Sequence, residues 1–300
     1  VAERTVVALD VGGTVMKGAI LGPAVHVLVE RSWPTGRHLG PDAVVETALA
    51  ALEELAGHPD ARATRAAGLV VPGTVDAATG TVVWSENLGW SDVPLRELAS
   101  TRTGLPVAFG HDVRVAALAE SRLGAARDRA NVLFLAIGTG IGAALMVDGH
   151  LLEADGYAGE IGHIEVEDSE PCVCGGQGCL EAVASAAAIA RRYGQRSGRP
   201  VDGAAEVLAQ VNAGDPVAAE VWNEAVEYLA QALAIGASLV APELVVIGGG
   251  LSLAGDALLL PLTRRLHELL TIQRRPQLVP ADLGDRAACL GAGLLAWEIA

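Results

Sequence analysis

Apolar runs of strand length alternate with helical periodicity along this chain. Residues 5–10, TVVALD, form a buried strand that ends in an acid, and 18–21 form another apolar segment beyond Val11, Gly12, Gly13 and Thr14. That pattern is a strand, a glycine turn and a returning strand. Residues 25–31 predict a third strand, and over 42–56 Val44, Val45, Ala48, Leu49, Leu52 and Leu55 recur at helical spacing. Strand 67–71 runs into the Pro72-Gly73 turn, strand 80–84 follows, and Asn87 to Trp90 is a loop before a helix over 93–101. A short strand at 106–109 leads through Gly110, His111 and Asp112 into an alanine-rich helix ending near Gly124. The second half repeats the opening pattern. Strand 131–137, the turn Gly138-Thr139-Gly140-Ile141-Gly142 and strand 143–147 are followed by helices over 185–196, 200–213 and 215–240. Strand 243–247 then meets Gly248-Gly249-Gly250, and helix 256–271, strand 277–280 and helix 285–300 close the chain, with Cys289 a small core residue.

Two strand, glycine-turn, strand units, each followed by further strands and helices, predict an α/β fold with an internal duplication and a cleft between the halves. In the first unit Gly12 and Gly13 expose backbone N–H groups to a phosphate, and the Asp10 carboxylate can hold magnesium through water. A plain hairpin with a capping Asp is the alternative there. Gly138, Gly140 and Gly142 repeat the cradle, and Thr14 and Thr139 add hydroxyl donors. Gly248, Gly249 and Gly250 let a backbone approach a flat ligand closely, which fits an adenosine pocket; taken alone they also fit a flexible turn. No GxGxxG opens a helix after the first strand, which argues against a dinucleotide fold.

Composition narrows the partners. Three hundred residues, 51% of them hydrophobic, can bury a large core, while a formal charge of −15 disfavours non-specific binding to nucleic acid or anionic membrane. No apolar run reaches the ~20 residues of a membrane span and the N-terminus lacks signal-peptide features, so a cytoplasmic protein is expected. Lys17 is the single lysine beside twenty arginines; inside a glycine motif it is either a nucleotide contact or a solvated side chain.

Between Gly159 and Glu181 lie one histidine and three of the four cysteines. His163, Cys172, Cys174 and Cys179 are the donor set of a closed tetrahedral zinc site, with glycines between the last two cysteines to let the loop turn tightly. A disulfide leaves an odd thiol, and inert buried thiols do not need the clustering. Glu160 and Glu181 flank the loop, and paired carboxylates beside a fixed imidazole are good acceptors for vicinal hydroxyls.

GExGHxxV from Gly159 and CxCGxxGCxExxxS from Cys172 to Ser185 resemble the signature of the ROK sugar kinases and repressors. The resemblance implies that His163 binds structural zinc through one nitrogen and sugar through the other, with Glu160 and Glu181 on sugar hydroxyls. PGTVD and NLGW are similar to family segments that line the sugar site, which adds Gly73 and Asn87. HDVRVAA at His111 stands where the family usually reads NDANAA, so Asp112 matches the catalytic base, while His111 and Arg114 replace asparagines: His111 bears on sugar preference, and Arg114 could serve a phosphate or a second carboxylate, or face solvent. The implied fold is the duplicated, ribonuclease-H-like fold of actin, hexokinase and the heat-shock ATPases. A small domain at 1–110, a large domain at 111–286 with zinc loop 163–179, and a terminal helix at 287–300 returning to the small domain are expected. The implied activity is transfer of the γ-phosphoryl group of ATP, with magnesium, to the 6-hydroxyl of an aldohexose, glucose first. Domain closure would exclude water. N-acetylmannosamine, N-acetylglucosamine, fructose or allose kinases, or a catalytically silent sugar sensor, are the alternatives. Repressors of the family carry a helix-turn-helix ahead of the Asp-Gly-Gly region; nine residues stand there here, so DNA binding is not expected. A homodimer or homotetramer is.

Overall fold

A computed structural model describes residues 3–167 and 170–300, so Asp168 and Ser169 of the expected zinc loop lie outside the described residues. The chain begins with β1 (Thr5–Val11), β2 (Val15–Leu21), β3 (Val27–Pro34) and α1 (Pro41–Ala56). After these come β4 (Thr64–Val71), β5 (Thr74–Asp76), β6 (Thr81–Ser85), β7 (Trp90–Val93), α2 (Leu95–Thr103), β8 (Val107–His111) and α3 (Asp112–Leu123). One sheet runs β3-β2-β1-β4-β8, with β1 antiparallel to β2 and parallel to β4. Its central strands are apolar and buried over most of their length, residues 6–9 of β1 and 66–71 of β4, because both faces are covered. On one side α1 buries Val44, Ala48, Leu49, Leu52 and Leu55 as a single stripe.

The second half holds β9 (Val132–Ile137), β10 (Ile141–Val147), β11 (His150–Leu151), α4 (Leu180–Ala184), α5 (Ala186–Ser197) and α6 (Ala204–Asn212). It continues with α7 (Pro216–Val240), β12 (Leu244–Gly248), α8 (Asp256–Leu269) and β13 (Gln277–Pro280). Its sheet runs β11-β10-β9-β12-β13, with β9 antiparallel to β10 and parallel to β12, the same order and sense as the first. Asp215 starts α7 by accepting the Val217 and Ala218 amides, and the helix carries its apolar face from Ala218 to Ala237 into the second core.

The last helix, α9 (Ala287–Glu298), lies on β1, β4 and β8. Its approach is close: a side chain on Gly68 would run into the Ala292 carbonyl, and one on Gly291 into the Val115 carbonyl. Backbone contacts divide the chain into Val1–Glu120 with Glu153–Tyr157 and Arg286–Ala300, and Ser121–Leu152 with Ala158–Asp285. The first unit thus keeps most of α3 instead of stopping at residue 110, because Val115 packs against Gly110 and Gly291.

Two segments differ from the sequence expectation. Pro72-Gly73 and Asn87 to Gly89 are turns as expected, but residues 74–76 and Trp90, read with them as turn and loop, belong to strands of the three-stranded sheet β5-β6-β7. Trp90 in that sheet is 2% exposed and its Nε1 donates to the Pro41 carbonyl at 3.0 Å, so it is a core residue. Strands this short carry too few alternations to show a period.

Candidate functional site

In the first unit Asp10 is half-buried near the end of β1 and stands directly across from Lys17 on β2. Gly12, Gly13 and Thr14 form the turn between those strands. A side chain on Gly12 would meet the Val15 carbonyl at 2.5 Å, and one on Gly13 would reach Asn87 Cβ at 3.8 Å, so Asn87 lies beside the glycine turn. Thr35 holds this turn from behind: its Oγ1 donates to the Gly12 carbonyl at 2.6 Å and its amide to the Thr14 carbonyl at 2.9 Å. Thr35 is fully buried, and a lone threonine after a proline gave no signal in the sequence.

Gly73 sits where β4 gives way to β5. A side chain there would run into the Trp84 carbonyl and Ser85, which leaves only glycine. At the mouth of α3, Asp112 Oδ1 accepts the Val113 amide at 2.7 Å, and His111 Nδ1 lies 3.4 Å from the same oxygen. The Arg114 amide donates to His111 Nδ1 at 3.4 Å, so a neutral ring carries its proton on Nε2. Arg114 does not face solvent: it is buried, and its Nη1 donates to the Gly156 carbonyl at 2.8 Å.

In the second unit Gly138 closes its turn by donating to the Gly140 carbonyl, and Gly142 lies on β10. Thr139 at the tip is exposed. Glu181, the second residue of α4, places Oε2 on the Ile141 amide at 2.8 Å and so fills the space that a side chain on Gly140 would take. One oxygen of this expected sugar ligand is therefore already committed to the glycine hairpin. Gly159 and Gly162 press against the Ala143 and Ile141 carbonyls, which accounts for both glycines of GEIG and leaves Glu160 exposed beside them.

His163 turns its two nitrogens to different partners. Nδ1 lies 3.8 Å from Cys172 Sγ and Nε2 3.9 Å from Glu160 Oε2. Cys174 and Cys179 are 3.7 Å apart, and the donor atoms of His163, Cys172, Cys174 and Cys179 all lie within 4.8 Å of one another. A tetrahedral ion with Zn–S bonds of about 2.3 Å sets its sulfurs roughly 3.8 Å apart, so the spacing fits. Burial pushes the Cys179 thiol up to about 12 and raises Cys172, while the Gly176 amide lowers Cys174. A cation at the centre would displace those protons.

Of the three successive glycines at the end of β12, two are explained by packing. A side chain on Gly248 would meet the Phe134 ring at 2.7 Å and one on Gly249 the Ile137 carbonyl; only Gly250 has open space around it.

A model of the ROK family matches residues 6–299. Among known proteins the chain is 35% identical to a glucokinase of Halalkalibacterium halodurans, with 98% of this chain and 95% of that one covered. A ROK hexokinase from Thermus thermophilus superposes with a TM-score of 0.85 at 34% identity, covering 98% of each chain. A ROK family glucokinase from Streptomyces griseus, solved in complex with glucose and AMPPNP, superposes with a TM-score of 0.86 at 29% identity, covering 98% of this chain and 99% of that one.

Proposed function

The chain belongs to the ROK family, and from that membership we propose that it is an ATP-dependent kinase that phosphorylates glucose at its 6-hydroxyl. One observation carries this: the full-length likeness to glucokinases, one of them solved with glucose and AMPPNP. The matching order and sense of the two sheets support the duplicated, actin-like fold.

Asp112 is the general base. Its Oδ1 is occupied by the Val113 amide, so Oδ2 accepts the proton of the 6-hydroxyl as that oxygen bonds to the γ-phosphorus and the β–γ bridging oxygen leaves with its electron pair. The glycine turn 12–14, fixed by Thr35, and the turn 138–142, fixed by Glu181, offer amides and the Thr14 and Thr139 hydroxyls to the phosphates. Asp10 would hold magnesium through water, and Lys17 stands beside it on the neighbouring strand. Gly250, with Gly248 and Gly249 setting its place, leaves room for the adenosine. Glu160, His163 and Glu181, with Gly73 and Asn87, take the sugar hydroxyls. His163 Nδ1 and the sulfurs of Cys172, Cys174 and Cys179 would hold zinc, whose charge would keep the loop closed and orient the imidazole so that Nε2, on the side of Glu160, faces the sugar.

His111 supports a second reading. A half-buried imidazole with Nε2–H beside the base donates differently from an asparagine amide, which favours another hexose or an N-acetylhexosamine. A coupled ADP-release assay with MgATP over glucose, mannose, fructose, N-acetylglucosamine and N-acetylmannosamine decides between them. Highest kcat/KM with glucose is the expected result. A different preferred sugar moves the substrate to the second reading, and sugar binding without turnover would make the protein a sensor.

A further inference from the structure

Arg114 takes no part in the chemistry above, yet it is among the few charged side chains this protein buries, with 6% of its surface exposed. It stands two residues after Asp112 on α3 and reaches the Gly156 carbonyl at 2.8 Å. Gly156 belongs to Glu153–Tyr157, a five-residue strap that groups with the first unit. The strap's backbone is not one its sequence prefers: Ala154, Asp155 and Gly156 have φ of 45°, 54° and 91° in succession. Residues other than glycine adopt that region sparsely, so something outside the segment must hold the shape. Two partners do. A side chain on Gly156 would come within 2.7 Å of the Val75 carbonyl, which puts the strap on β5, the strand that follows Gly73. The guanidinium adds a charge-assisted bond in a buried setting, where such bonds are strong and costly to leave unmade. Three residues after Tyr157 the chain reaches Glu160, a carboxylate assigned above to the sugar.

We propose that Arg114 is a positioning residue for the sugar: through the Gly156 carbonyl it fixes the strap 153–157 on β5 and thereby sets where Glu160 is held. This rests on the kinase reading. It also gives the departure from asparagine at this position a role in sugar affinity rather than in phosphate binding.

The test uses the full chain with Arg114→Met, which keeps the apolar stem and removes the donors, Arg114→Lys, which keeps one charged donor, Glu160→Gln, and the Arg114→Met/Glu160→Gln double variant. Arg114→Met should raise the glucose KM about tenfold or more while changing kcat less than about threefold, as expected for lost substrate positioning. Arg114→Lys should recover part of that loss. The double variant should lose little beyond Glu160→Gln alone, because both changes strike one interaction. Amide exchange of the peptide spanning 153–160 should quicken in Arg114→Met. Wild-type glucose KM with unchanged exchange, even beside a lowered melting temperature, overturns the proposal, as does full additivity with Glu160→Gln. If Arg114→Met does not fold, Arg114→Lys carries the same readings. Faster strap exchange in a protein whose wild type turns over no sugar would fault the kinase reading and leave the strap's anchor standing.

Discussion

Asp112 opens α3 with one carboxylate oxygen bonded to the next amide and the other available to a ligand. Asparagine at this position keeps the acceptor for Val113 and the side-chain volume but removes the proton acceptor. Asp112→Asn should therefore lower kcat by about 10²–10⁴-fold with the glucose KM near its wild-type value. Turnover close to wild type would remove Asp112 from the role of base. His111 and Arg114, its neighbours, show how much of a residue's work its type leaves open. The first accepts an amide through Nδ1, and the second folds inward to a backbone carbonyl. Thr35 shows the reverse, a side chain of no recognisable pattern that holds the Gly12 turn by two hydrogen bonds.

Among the elements, the loop from His163 to Cys179 and the helix α9 depend on different physics. The loop has little apolar surface of its own and converges on four soft donors, so its order should come from metal. Protein purified without chelator should carry about one zinc per chain by elemental analysis, as expected for a closed four-ligand site. Cys174→Ser or prolonged chelation should empty the site and quicken amide exchange over 163–179. A zinc content well under one per chain would dismiss the site. In α9 the opposite holds: the helix packs so closely that the Ala292 carbonyl occupies the space of a side chain on Gly68. Gly68→Ala should cost about 1–3 kcal/mol by overpacking. Gly194, inside α5, has its nearest neighbour at an ordinary 3.4 Å, and Gly194→Ala should stabilise by about 0.5–1 kcal/mol through helix propensity. Denaturation midpoints that move the same way in both variants would contradict this distinction.

Across the whole molecule, a chain with 36 acidic and 21 basic residues anchors several of its carboxylates on fixed donors. Arg265 holds Glu227 below the ordinary carboxylate range and ties α7 to α8, with Nε at 2.6 Å and Nη2 at 2.9 Å. The Asn131 and Ala130 amides do the same for Glu243. A folded value below the unfolded one means stability that is complete above the unfolded value of 4.5 and lost as pH falls through the folded one. The melting temperature should fall as pH drops below about 4.5. Glu227→Gln should melt earlier at pH 7 and show a shallower acid slope; an unchanged slope would separate Arg265 from acid stability. How much of this molecule its sequence decided follows from range. Long apolar strands and the stripes of α1 and α7 were legible because burial on one or two faces imposes a period within the segment itself. The donor set His163, Cys172, Cys174 and Cys179 was legible because its ligands lie close along the chain and few chemistries use that combination. The strands β5 and β7, the grouping of Glu153–Tyr157 with the first unit, the inward turn of Arg114 and the capture of Glu181 by the Ile141 amide belong to the tertiary structure alone. Each depends on a backbone group dozens of residues away or on strands too short to show a period, and no local pattern encodes such a partner.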